Sequence, residues 1–120
     1  MKINNALIHN AIVEHIEFED IKPQSIQVGD HFEFLIFELK KSMLLKDIST
    51  NKLILSCHID FTSVFKDFSD TIYAVALNHK SPFGYDFISI EILESWDQAA
   101  QNVEQRQLTL MLSPNAKDFL

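Results

Sequence analysis

The segment HFEFLIFEL, His31 to Leu39, constrains the fold more than any other part of this chain. As a strand it sends Phe32, Phe34 and Ile36 to one side of a sheet and Leu35, Phe37 and Leu39 to the other, because successive side chains alternate. Only Glu33 and Glu38 break the apolar run, one on each side. An antiparallel strand in a small domain normally has one apolar face and one wet face. Something must therefore cover the second face of this one: the chain's own C-terminal helix, another subunit or a bound polypeptide.

The length of 120 residues allows a single domain, 1–120, with no room for two independent cores. A content of 47% hydrophobic and 22% charged residues excludes a disordered chain. Net charge is −7, with 17 acidic residues against 10 basic ones and no basic cluster. Phosphate binding needs Lys and Arg gathered in a groove, so nucleic acid is not an expected partner. The single cysteine, Cys57, excludes an internal disulfide framework and fits a reducing compartment. The opening MKINNALIHNAIVEHIEFED lacks the apolar core of a signal peptide, and no run approaches the ~18 apolar residues of a membrane helix. The expectation is a soluble cytoplasmic protein with no membrane partner.

Period-two patterning predicts four long strands. Ile8, Ile12, Ile16 and Phe18 share one parity between Leu7 and Glu19, which predicts a first strand. EDIKPQSIQVGD reads as a connection broken by Pro23 and Gly29. The second strand runs from Phe32 to about Leu45. KLILSCHIDFTSVF predicts a third, with Leu53, Leu55, Cys57, Ile59, Phe61 and Phe65 inward. Ile72 to Asn78 predicts a fourth, while Phe87 to Leu93 fits strand or helix. Ser95 with Gln98 has capping-box form, and Trp96, Ala99, Ala100 and Val103 recur at helical spacing. The predicted class is α+β: a four-stranded antiparallel sheet followed by a C-terminal helix and a short terminal segment.

Little in the chain points to catalysis. His9, His15, His31, His58 and His79 do not fall at the short spacings of zinc ligands. His9 and His15, six residues apart on one strand, would stand on the order of 20 Å from each other. Cys57 and His58, adjacent on a strand, would point to opposite faces and not form a nucleophile and base. Cys57 is thus expected to be a buried, inert thiol. Gly29 and Gly84 stand alone, so there is no phosphate loop, and Glu91 with Glu94 reads as a solvated face. No enzyme, cofactor or metal site is expected.

Two stretches carry a family resemblance. IHNAIVEHIEFE is similar to the first strand of the SecB-like export chaperones, with Ile8, Ile16, Phe18 and Glu19 at matching places. LMLSPNAKDFL carries Leu110, Leu112, Pro114, Asp118 and Leu120 in the spacing of that family's L-x-L-x-P-x-x-x-D-x-L ending. The family's Cys-Pro and Pro-Tyr-Ala-Arg segment has no counterpart between Leu93 and Gln107. The resemblance implies a SecB-like α+β domain that assembles into dimers and tetramers with long apolar grooves for unfolded chains. Glu19 matches an acidic position through which the family docks its export motor, whereas His15 and Ala76 stand at two others. It therefore implies a holding function more than motor docking.

The expected function is a non-enzymatic protein-binding module. In the first reading it is a SecB-like holdase that takes unfolded or unstable polypeptide in a groove formed by Leu35, Phe37 and Leu39. Glu19 would be a partner-docking residue and the protein a homo-oligomer, which would cover the second face of the Phe32–Leu39 strand. In the alternative it is a small inhibitor or immunity protein, of the kind mobile elements encode, binding one folded target through an acidic face.

Overall fold

Both faces of the Phe32–Leu39 segment are covered by helices of the same chain. The computed structural model describes residues 1–3, 5–58 and 61–112. In order these form α1 (Ala6–Phe18), β1 (Gln24–Val28), β2 (Phe32–Lys40), α2 (Lys41–Ser49), α3 (Lys52–Ser56), α4 (Phe61–Val64), β3 (Thr71–His79), β4 (Phe87–Leu93) and α5 (Trp96–Leu112). The sheet is four-stranded and antiparallel in the order β1-β2-β3-β4. An α+β fold with an antiparallel sheet and a C-terminal helix is thus observed, but several elements differ from the sequence expectation.

The stretch expected as a first strand is α1. Ile8, Ala11, Ile12, His15 and Ile16 are its buried residues, the i, i+3, i+4 pattern of a helix face. The spacing of four in Ile8, Ile12 and Ile16 satisfies period two as well, which is why alternation was misleading. The Asn5 side chain decides the matter locally, accepting hydrogen bonds from the Leu7 and Ile8 amides as an N-cap.

The expected third strand is replaced by two short helices, α3 and α4, with Asn51 capping the first of them in the same way. Ile54 is buried there while Leu53 and Leu55 are exposed, the reverse of the parity reading. Cys57 closes α3 and is exposed. A thiol reagent is therefore expected to label it in the native protein at nearly the rate seen in denaturant. Slow native labelling would overturn this placement.

The missing strand comes from the stretch read as a connection. β1 pairs with β2 from Gln24 opposite Ile36 to Val28 opposite Phe32. Gly29 holds φ +65° in the turn between them, a conformation that favours glycine. Phe87 to Leu93 resolves as a strand, and the β3–β4 register shifts between Leu77 and Asn78. Residues Met1 to Ile3 run along the outer edge of β4, with Ile3 N donating to Ile90 O at 3.0 Å and Ile92 N to Met1 O at 2.8 Å. That cover protects an edge otherwise open to pairing.

The core has two layers. Leu35, Phe37, Leu39, Ile72, Ala74, Ala76, Ile90 and Ile92 pack against α1 to α4. Phe34, Ile36, Val75 and Leu77 pack against Ala99, Val103 and Leu110 of α5. Ser95 caps α5 as expected, its Oγ accepting from the Gln98 amide, while Gln98 Oε1 accepts from the Glu94 amide, one residue before the capping-box position. Arg106 pins the helix to the sheet, donating to Ser89 Oγ at 2.8 Å and to Asn102 Oδ1 at 3.1 Å. Its guanidinium lies 3.6 Å from the Glu91 carboxylate and 5.0 Å from the Phe34 ring centroid. Burial lowers the pKa of Arg106, and Glu91 opposes that shift. Glu91, expected on a solvated face, is half-buried in this network.

Candidate functional site

The two residue groups expected to bind partners have different fates. Leu35, Phe37 and Leu39 are 3%, 0% and 0% exposed, so they form no open groove in this chain. The bare face that motivated an expected homo-oligomer is filled by α1 to α4. Glu19 is half-exposed at the C-cap of α1, and there a pocket opens.

The pocket is about 290 Å³ and lies between α1 and the end of α2. Ala11, Glu14, His15 and Phe18 line it from α1, one stripe of i, i+3, i+4 and i+7 positions. Asp47, Ile48, Thr50 and Asn51 form the other wall. His15 is buried, and its Nδ1 lies 2.7 Å from Asp47 Oδ2. A carboxylate only accepts, so Nδ1 is the donor and the imidazole is held in one orientation. One ligand atom each from His15, Glu19 and Asp47 lies within 4.8 Å of the others.

Glu14 and Asp47 give the pocket wall two carboxylates, and the end of α1 beside it is acidic and carries a bare aromatic ring. Glu14, Glu17 and Asp20 are exposed, and Glu19 and Asp47 are half-exposed. Phe18 is 82% exposed beside them. Lys22 is engaged with Asp20 at 2.8 Å. Burial raises the hydroxyl pKa of Tyr85; Lys22 opposes that rise, and Glu17, Asp20 and Glu33 add smaller ones.

Of the other histidines, His9 meets Phe87 edge-on at 6.5 Å, and His79 faces Asp86 at 3.4 Å. His31 and His58 are exposed. Reading α1 as a helix would have placed His15 and Glu19 on one face at i and i+4. Asp47 lies 32 residues away in sequence from His15, so no local spacing announces it.

The stretch resembling the first strand of the SecB-like family folds as α1. In the resemblance at the other end, Leu110 lies in α5, while Pro114, Asp118 and Leu120 fall outside the described residues. Compared with protein-family models, curated proteins and solved structures, the chain gives no match. Among the described residues no helix is long and apolar enough to cross a membrane.

Proposed function

We propose that this chain is a non-enzymatic cytoplasmic binding protein that engages one folded protein through the acidic surface around Phe18. The observation that carries the reading is the Phe18 ring, 82% exposed at the rim of a pocket bordered by carboxylates. An aromatic side chain kept in water at a concave site is a natural anchor, since interface energy concentrates in a few buried aromatic and Arg residues. Glu14, Glu17, Glu19, Asp20 and Asp47 would meet a basic partner surface, speeding encounter and rejecting acidic competitors. A holding chaperone would instead need an open apolar groove, and the Leu35, Phe37 and Leu39 face is filled.

The test is affinity capture from the native host, followed by measurement of the complex's mass and salt dependence. One partner in fixed stoichiometry is expected, with binding weakened by added salt. Phe18→Ala should lower affinity on the order of 30-fold, the ~2 kcal/mol of an interface hot spot. Its stability should change by no more than ~0.5 kcal/mol, as for an exposed substitution. Capture of many unfolded chains would favour the holdase instead. A single partner bound equally by Phe18→Ala would move the interface elsewhere.

A further inference from the structure

The geometry points to a divalent transition-metal site at His15, Glu19 and Asp47. These residues offer one imidazole nitrogen and two carboxylates, a mixed set that suits zinc or manganese better than the all-oxygen shells of calcium and magnesium. Ligands bound about 2.0–2.2 Å from zinc stand roughly 3–3.5 Å from one another. The separations here bracket that value: 2.7 Å between His15 Nδ1 and Asp47 Oδ2, and no more than 4.8 Å among all three ligand atoms. A small opening of the first pair and a rotation of the half-exposed Glu19 side chain complete a three-point shell.

Two features distinguish this cluster from a surface patch of acids. His15 is 3% exposed, and its packing in the core of α1 fixes the imidazole before any ion arrives. The second is the pocket, which borders His15 and Asp47 and leaves room for water to fill the remaining coordination position. Coordination uses the Nδ1 lone pair, so the imidazole carries its hydrogen on Nε2 in the metal-bound form, and Asp47 changes from acceptor to ligand. Glu19 follows His15 by one helical turn, and α2 supplies Asp47. The ion would thus tie the end of α1 to α2.

The full chain, stripped with chelator, is titrated with zinc chloride and separately with manganese chloride by calorimetry, and its thermal unfolding is followed with and without each ion. Saturable 1:1 binding of at least one ion is expected, together with a rise in unfolding midpoint of several degrees, because an ion that binds only the folded state stabilises it. Glu19→Gln and Asp47→Asn should each weaken binding at least tenfold, whereas His31→Ala, at an exposed histidine, should not. Magnesium should bind at least tenfold more weakly. No saturable binding of either ion overturns the proposal, as does binding that both carboxylate variants leave unchanged. Equal affinity for magnesium overturns the choice of a transition ion. If Asp47→Asn fails to fold, Glu19→Gln alone decides, since its side chain is half-exposed at a helix end. The measurement needs no partner, so its outcome is separate from that of the interface reading.

Discussion

Phe37→Ala is expected to destabilise the fold by ~3–5 kcal/mol, as much as Phe34→Ala, the usual range for emptying a buried aromatic site. The two rings lie on opposite faces of β2, and both are 0% exposed. Phe37 packs edge-on against Tyr85 at 5.8 Å and against Phe87 at 6.0 Å, beneath the α1 to α4 layer. Phe34 packs beneath α5 with the Arg106 guanidinium over its ring. Small domains are held by only ~5–15 kcal/mol, so either change removes a large share of the total. Urea unfolding of the two variants measures this. A Phe37→Ala protein as stable as the parent would mean that the α1 to α4 layer does not close over this face, and the groove reading would return. Equal losses establish both faces as internal core.

Arg106→Ala is the second large effect, expected at ~2–3 kcal/mol. Removing one partner of a fully buried ion pair costs ~3–5 kcal/mol, because the other charge is left uncompensated. The Arg106 and Glu91 side chains are 18% and 22% exposed, so solvent screening reduces that figure. Against this reduction stand further losses. Ser89, itself buried, loses its guanidinium partner, and the contact over Phe34 disappears. Lysine should rescue little, since an ammonium cannot reproduce the planar fork that reaches Ser89 and Asn102 together. Hydrogen exchange should show the damage concentrated in α5, where amide protection falls first. A loss below ~1 kcal/mol, or protection lost evenly across the sheet, would show that α5 is held mainly by Ala99, Val103 and Leu110.

Where the sequence carried local chemistry it was legible. Ser95 and Gln98 announce the start of α5 because a cap is made by atoms three residues apart. The run from Phe32 to Leu39 announces a strand with two apolar faces, because its alternating side chains leave neither face fit for water. The errors came from segments whose spacing fits two periods. Ile8, Ile12 and Ile16 alternate as well as they wind, and the cap at Asn5 is the feature that separates the two. Residues 52–65 carry apolar side chains at nearly every other position. Yet Phe61 in α4 and Phe65 in the turn just after it stack at 6.3 Å in the core, and Ile54 turns inward between exposed Leu53 and Leu55.

By itself the sequence determined an antiparallel α+β domain, a β2 strand that needs cover on both sides, and an acid excess with no basic groove. Each follows from composition or from neighbours along the chain. Only the tertiary structure decided what covers β2: α1 to α4 on one face and α5 on the other. The Leu35, Phe37 and Leu39 row therefore became core instead of groove. Tertiary structure also brought Asp47 to His15 and left Phe18 bare beside them. Pairings of this kind depend on how two helices cross, which is set by packing over the whole sheet and not by spacing along the chain.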